Sequence, residues 1–310
     1  MRLLITGASG LLGLNLALDA SRRHEVIGAD RGRLVSAPFP VIATDLLSPE
    51  AVKHVMAEAK PEGVIHCAAL ANVDECEHNP SLARMVNSEL PAQIADACAR
   101  QGIPLIHVST DAVFDGQRDG SYSEEDPPNP IGVYAQTKYQ GEQAVLQVYP
   151  HATVVRVNFY GWSLSGKRSL AEFFVNNLRN GKMVNGFTDV IFCPMWVNHL
   201  NEILLLMMAQ GLRGLYHVVG PQAMSKYQFG VEIARKFGLQ EGLISPQSVD
   251  KSSLTARRSH NLWLSTRKLA AALGQSLPTF LTGLEQYFEQ YQQGYPQKIR
   301  SYQQPEAAAG

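Results

Sequence analysis

The sequence predicts an α/β fold, a doubly wound parallel sheet covered by helices on both faces, with a smaller C-terminal part interleaved with it. Three observations carry that expectation. Short apolar strands alternate with helix-periodic segments through the first half of the 310 residues. A glycine-rich turn, Thr6-Gly7-Ala8-Ser9-Gly10-Leu11-Leu12-Gly13, follows the first of those strands. No internal repeat or Gly/Ser linker marks a boundary later on, so a first unit over 1–160 and a second over 161–310 are expected to interlock.

Residues 3–5 make a short buried strand, and 11–21 have the apolar period of a helix. Residues 25–30 are a second strand ending in an acid, and 41–43 a third. Ser48 caps the next helix, with Pro49 in its first turn and Glu50 beside it. Residues 63–66 are the fourth strand; 80–101 carry helix periodicity up to Gly102, and 104–109 are the fifth strand. Residues 115–132 are rich in Gly, Asp, Ser and Pro and form a surface loop, whose Pro127-Pro128 and Pro130 fix the approach to a helix over 134–148. The sixth strand is 153–157. Beyond Asn158 the rhythm loosens, with helices over 170–179, 198–209, 226–237, 266–273 and 279–291 and a strand over 215–219. The last dozen residues, polar and ending in Ala-Ala-Ala-Gly, are expected to fray.

Composition narrows the partners. The chain is 45% hydrophobic with a formal net charge of -1 and scattered charges, so it lacks the basic footprint of a nucleic-acid binder and points to a small molecule. Cys67, Cys76, Cys98 and Cys193 have no metal-ligand spacing and read as reduced, mostly buried thiols. Met1-Arg2 leads straight into a strand, unlike a secretory signal, and the longest apolar run, 203–209, is too short to span a bilayer. A cytoplasmic location with no membrane partner is the expectation.

The glycine turn is spaced Gly7-x-x-Gly10-x-x-Gly13. Such glycines let the backbone turn tightly against a pyrophosphate, while the following helix offers its free N–H groups and positive dipole end. Gly7, Ser9, Gly10, Leu11 and Leu12 are therefore candidate cofactor contacts. Asp30, at the tip of the second strand, can accept from an adenosine ribose, which favours NAD(H). Arg31 and Arg33 can instead pair with a 2′-phosphate, so NADP(H) stays open. Asp45 and Leu46 can meet the adenine. The small residues of Cys67-Ala68-Ala69-Leu70-Ala71 let a flat dinucleotide pass over the sheet edge, through Ala68, Ala69 and Ala71.

Tyr134-Ala-Gln-Thr-Lys138 carries the chemistry. A tyrosine four residues ahead of a lysine arises by chance in about one such chain in three, so the pattern counts only in company. A phenol has an ordinary pKa of about 10 and needs nearby positive charge to move a proton at neutral pH. Lys138 on the same helix face supplies that charge, and Thr110, at the end of the fifth strand, can orient a substrate oxygen. His66, His107 and His217 lie in apolar runs without metal spacing and read as core or strand-end residues.

The chain resembles the extended short-chain dehydrogenase/reductase family, on the side of the dTDP-4-dehydrorhamnose reductases and their relatives. The likeness covers nearly the whole sequence. It rests on Ser109-Thr110-Asp111-Ala112-Val113-Phe114-Asp115-Gly116, on Tyr134 to Lys138 followed by Gly141-Glu142, and on Gly214-Leu215-Tyr216-His217-Val218. Ser225-Lys226-Tyr227, then Arg258 ahead of Leu264 and Lys268-Leu269, extend it. The resemblance implies a Rossmann-like N-terminal part and a C-terminal part that closes over a sugar nucleotide. It also implies Thr110, Tyr134 and Lys138 as the catalytic set, with Tyr134 and Lys138 reaching the cofactor as well. Sugar-nucleotide dehydratases of the family carry Asp then Glu after the threonine; here Ala112 follows Asp111, which favours reduction of a ketone.

Three segments depart from the reductase pattern: Arg258-Ser259, Asn158-Phe159-Tyr160-Gly161-Trp162, and the stretch from Gly186 to Pro194. They are expected to face substrate, and Asp111, Phe114, Trp162, Phe192 and Arg258 are its candidate contacts, the arginine through a diphosphate. The leading expectation is an NAD(P)H-dependent reductase of a keto group on a nucleotide-linked deoxysugar. The rivals are a cofactor-binding regulatory subunit like the beta subunit of methionine adenosyltransferase, which the Ser225-Lys226-Tyr227 region also resembles, and a nucleotide-sugar epimerase. A homodimer is expected by analogy with the family.

Overall fold

The computed structural model describes residues 1–32, 34–252 and 256–303; Arg33 and the chain end beyond 303 lie outside the described residues. Strand and helix alternate through the first half. The elements are β1 (Arg2–Thr6), α1 (Leu11–Ala20), β2 (Glu25–Asp30), β3 (Val41–Ala43), α2 (Pro49–Ala59), β4 (Gly63–His66), α3 (Val73–His78), α4 (Pro80–Arg84), α5 (Leu90–Gln101), β5 (Leu105–Thr110), α6 (Val133–Val148) and β6 (Thr153–Val157). The second half holds β7 (Phe159–Tyr160), α7 (Leu170–Arg179), β8 (Val184–Phe187), β9 (Ile191–Phe192), β10 (Met195–Trp196), α8 (Val197–Gln210), β11 (Gly214–Val218), β12 (Met224–Ser225), α9 (Lys226–Lys236), β13 (Ile244–Gln247), β14 (Asn261–Leu262), α10 (Arg267–Leu273), α11 (Phe280–Gln292) and α12 (Tyr295–Arg300).

Seven strands form one parallel sheet in the order β11-β6-β5-β4-β1-β2-β3. Strand order reverses between β1 and β4, which opens a crevice beyond their C-terminal ends where sheets of this kind take ligands. Alternate side chains feed two cores. Leu4, Val64, Leu105 and Val154 pack under α2, α5 and α6, while Leu3, Ile65, Ile106 and Val155 pack under α1 and α8. Being buried on both faces, these strands read as continuous apolar runs.

Two elements from beyond residue 160 complete this layer: β11 pairs with β6 at the sheet edge, and α8 packs on α1. The rest of the second half is built on small sheets, β12-β9-β14, β10-β7 and β13-β8. Its core is aromatic. Trp162 stacks on Tyr287 at 4.1 Å between ring centroids, and Tyr160 meets Phe229 and Tyr287 edge-on.

Two expectations are corrected here. The helix over 80–101 is interrupted by a π turn, Met85–Glu89, between α4 and α5. Pro91 has no N–H to donate to the carbonyl four residues back, that of Asn87, so the regular ladder fails there. That carbonyl faces α6, where a Cβ on Gly141 would lie 2.2 Å from it. The chain end also stays ordered further than expected: Ile299 and Tyr302 are buried, and Val35 N–H donates to the Tyr302 carbonyl at 2.9 Å. Two apolar side chains in an otherwise polar tail pin it to the loop after β2.

An ion pair locks α6 to the sheet. Arg156 of β6 donates to both oxygens of Glu142, at 3.0 Å through Nε and 2.7 Å through Nη2, and Ser109 Oγ of β5 donates to the same carboxylate at 2.5 Å. Both charged side chains are nearly inaccessible, at 2% and 3% exposure. Removing one partner strands the other charge in the core. Arg156→Met should therefore lower the unfolding free energy by about 3–5 kcal/mol in urea melts; a loss below about 1 kcal/mol would mean that the carboxylate is solvated elsewhere.

Candidate active site

The glycine turn sits at the crevice between β1 and β4. Gly7 has φ +70°, and a Cβ there would lie 2.7 Å from Ala68 N, so no other residue fits without moving β4's exit. A Cβ on Gly13 would lie 2.1 Å from the Gly7 carbonyl, which explains the close seating of α1. Gly10 caps α1 with no side-chain acceptor, leaving the first-turn N–H groups facing the cleft. The Asp30 carboxylate braces the turn: Oδ2 accepts from Ser9 N–H at 2.8 Å and Oδ1 from Gly32 N–H at 3.0 Å.

The cleft so formed has a volume of about 320 Å³. Of the expected cofactor contacts, Gly7, Ser9, Gly10, Asp30, Arg31, Asp45, Leu46, Ala68 and Ala69 line it. Ala71 is exposed and does not, a correction to the sequence expectation. Leu11 and Leu12 turn their side chains into the core, which leaves only their backbone for a ligand. Cys67, from the same small-residue stretch, lines the cleft too, and Thr44, Leu47, Val86, Leu90 and Arg168 do so without having been anticipated. Val86 and Leu90 come from the broken helix, for which Pro91 was the available sign.

Thr110, Tyr134 and Lys138 come together where β5 meets the start of α6. Lys138 is 2% exposed, and its Nζ donates to the Val108 carbonyl of β5 at 2.6 Å. Burial lowers its pKa to about 8. Its charge bears on Cys67, at the cleft wall, and on the stacked rings of His66 and His107, whose pKa values burial also lowers. Tyr134 is half-buried. Burial pushes its phenol up to about 12, against the pull of a Thr110 hydrogen bond, and Asp111 pushes the same way as burial. The sequence expectation gave Lys138 the dominant influence on this phenol; in the structure burial dominates.

The π turn helps set this geometry. Asn87 is fully buried, holds Leu70 through both its N–H and its carbonyl, at 2.9 and 3.1 Å, and donates to Thr137 Oγ1 at 3.3 Å. Asp111, next to Thr110, accepts from Asn158 Nδ2 at 2.6 Å and from Thr110 Oγ1 at 3.2 Å. Burial raises its pKa to about 6, with the Asn158 and Thr110 bonds and the charge of Lys226 opposing.

A second, smaller cleft lies beside Tyr134, lined by Ala112, Val190, Lys226, Arg257 and Arg258 among others. Arg258 reaches Asp74 at 3.5 Å, and its charge lowers the pKa of Lys226 after burial has done so. Three cations at one cleft suit an anionic ligand. Lys226 was quoted only as a point of likeness; its position as first residue of α9, after the Ser225 cap, puts it here.

Three expected substrate contacts are corrected. Phe114 is 1% exposed, stacked on Tyr122 at 4.1 Å, with its carbonyl taken by Ser259 Oγ at 2.7 Å. Trp162 is buried in the aromatic core, its Nε1 donating to the Tyr287 carbonyl at 3.3 Å. Phe192 is buried against Phe229. Among the described residues no His, Cys, Asp and Glu group is arranged to hold a metal, and no helix is long and apolar enough to cross a membrane.

A family model described as RmlD substrate binding domain matches residues 1–293. The chain is 33% identical over 294 residues to the probable low-salt glycan biosynthesis reductase Agl14 of Haloferax volcanii, covering 93% of this chain and 98% of that protein. It is 35% identical over 280 residues to a dTDP-4-dehydrorhamnose reductase of Mycobacterium tuberculosis, covering 87% of each. A solved dTDP-4-dehydrorhamnose reductase of Bacillus anthracis in complex with NADP superposes with a TM-score of 0.84 at 27% identity, covering 93% of this chain and 99% of that one.

Because Asp111 has a folded-state pKa near 6, above its ordinary 3.8, it contributes stability below about pH 4 that is lost as pH rises through 6. Asp111→Asn removes that dependence. The difference in unfolding free energy between the two proteins should move in favour of the variant by up to about 3 kcal/mol between pH 4 and pH 7. Urea melts across that window check it, and a constant difference would contradict a buried carboxyl.

Proposed function

The chain belongs to the RmlD substrate-binding domain family, and on that premise we propose that it reduces a keto group on a nucleotide-linked deoxysugar with NAD(P)H, as a dTDP-4-dehydrorhamnose reductase does. The observation that carries the proposal is the placing of Tyr134 between Thr110 and a cation-lined cleft, one helical turn from a lysine that bears on the wall of the dinucleotide cleft.

The cleft beyond β1 and β4 fits a dinucleotide: Gly7 and Gly13 stand where a Cβ would strike backbone, so the turn closes tightly at the cleft, and α1 begins without a side-chain cap. Gly7, Ser9, Gly10 and the start of α1 hold the pyrophosphate, Asp45 and Leu46 the adenine side, and Arg31 the adenosine ribose end. When bound there, the reduced nicotinamide supplies a hydride to the carbonyl carbon.

Charge then develops on the carbonyl oxygen, and the chain's own groups deal with it. The Tyr134 phenol, with a pKa near 12, keeps its proton at neutral pH and gives it to that oxygen as negative charge forms. Thr110 positions the oxygen by a hydrogen bond. Lys138, still largely protonated at pH 7 and fixed by the Val108 carbonyl, brings positive charge to the site and a donor for the nicotinamide ribose. Lys226 and Arg258 take the diphosphate of the sugar nucleotide, and Asp111 with Asn158 holds Thr110 in place.

Tyr134→Phe should lower turnover of dTDP-4-dehydrorhamnose by about 10²- to 10⁴-fold while NADPH still quenches the protein's fluorescence. Unchanged turnover would remove Tyr134 from the mechanism. A regulatory subunit or an epimerase would show no net consumption of reduced cofactor in the wild type. Arg258→Ala should raise KM for the sugar nucleotide by about tenfold or more with kcat little changed, as loss of a charge-assisted contact to a diphosphate requires; steady-state kinetics decide it, and an unaltered KM would place the diphosphate elsewhere.

A further inference from the structure

The cofactor cleft is lined almost wholly by residues of the first half of the chain. One residue from beyond 160 joins them, Arg168, in the loop between β7 and α7. That loop is held firmly. The fully buried Glu172 carboxylate accepts from the N–H groups of Ser163 at 2.8 Å, Arg168 at 3.1 Å and Ser169 at 3.2 Å, and from Ser163 Oγ at 2.6 Å. Asn15 of α1 donates to the Trp162 carbonyl at 2.9 Å and ties the loop to the helix that follows the glycine turn. The backbone of Arg168 is thus fixed beside the cleft while its side chain is exposed.

The charges around it match an anion. Arg31 lines the same cleft, and among the described residues neither guanidinium lies within 4.0 Å of a carboxylate. The two acids that line the cleft accept from backbone N–H groups, Asp30 from Ser9 and Gly32 and Asp45 Oδ1 from Leu47 at 3.2 Å, and Glu172 does so within the loop. Two arginines outside any ion pair among the described residues and the N-terminal end of α1 therefore line one cavity.

We propose that Arg168 is a cofactor ligand contributed by the second half of the chain, its guanidinium taking a phosphate of the bound dinucleotide. The inference rests on the assignment of this cleft to a dinucleotide. The pyrophosphate and a 2′-phosphate offer the same chemistry to a guanidinium, a charge-assisted pair of N–H···O bonds. Through Arg168 the substrate-binding part closes on the cofactor as well as on the sugar nucleotide.

The test is the affinity of the full chain, wild type, R168A and R168K, for NADPH, NADH, ADP, adenosine 2′-monophosphate and adenosine, measured by titration calorimetry. R168A should bind phosphate-carrying ligands about tenfold or more weakly, with partial recovery in R168K and no change for adenosine. A loss shared by NADH and ADP assigns the pyrophosphate; a loss confined to NADPH and adenosine 2′-monophosphate assigns the 2′-phosphate. Unchanged affinities in R168A, or an equal loss for adenosine, would overturn the role of Arg168 alone. A wild-type chain that binds no dinucleotide would sink the reductase proposal itself.

Discussion

The carboxylate of Glu142 lies buried between α6 and the sheet, accepting from Ser109 of β5 and from both Nε and Nη2 of Arg156 on β6. Glu142, Lys138 and Tyr134 are spaced four apart, so they share one stripe of α6. Fixing Glu142 against two strands fixes the other two. Lys138 then reaches the Val108 carbonyl of β5, and Tyr134, one turn earlier, stands beside Thr110 at the strand's end. Gly141, pressed against the Asn87 carbonyl of the π turn, sets the same helix from its other neighbour. A buried ion pair is weak evidence for stability, but here it specifies the register between a helix and a sheet.

Burial moves the two titratable groups of the proposed centre in opposite directions. The phenol is pushed up to about 12 and the ammonium down to about 8. Desolvation disfavours the charged form of each, so the tyrosine stays neutral and holds the proton that a reduction consumes. The cations of the second cleft sit beyond the tyrosine, where burial first and then the charge of Arg258, itself paired with Asp74, lower the pKa of Lys226 against the pull of Asp111. The cations of the second cleft favour an anionic ligand, while the phenol beside it stays uncharged.

Most of the large sheet was legible in the sequence, because buried parallel strands are short apolar runs and their helices keep a clear period. The glycine turn was legible for a steric reason: Gly7 and Gly13 stand where a Cβ would strike backbone. The π turn was not, although Pro91 inside a helix-periodic run signalled a break in the ladder. Phe114, Trp162 and Phe192 were misplaced because residue type says that an aromatic ring will be covered, and in loops or a two-residue strand no period says by what. Tyr287 and Phe229, which cover Trp162 and Phe192, lie 37 or more residues away in sequence, so only tertiary structure reveals those contacts, and Phe114 stacks on Tyr122 across an irregular loop. Arg168 was invisible for the same reason: nothing local marks an exposed arginine before a helix cap as the wall of a cleft built by another part of the chain.

In the proposed reaction a carbonyl carbon takes a hydride from the reduced nicotinamide and its oxygen takes a proton from the chain. Reaction of dTDP-4-dehydrorhamnose with NADPH deuterated at the transferring position of the nicotinamide, followed by mass spectrometry of the sugar nucleotide, tests it most directly. One deuterium should appear in the product, on the carbon that bore the keto group, for each cofactor oxidised. A product without deuterium, or a cofactor bound and left unoxidised, would contradict it.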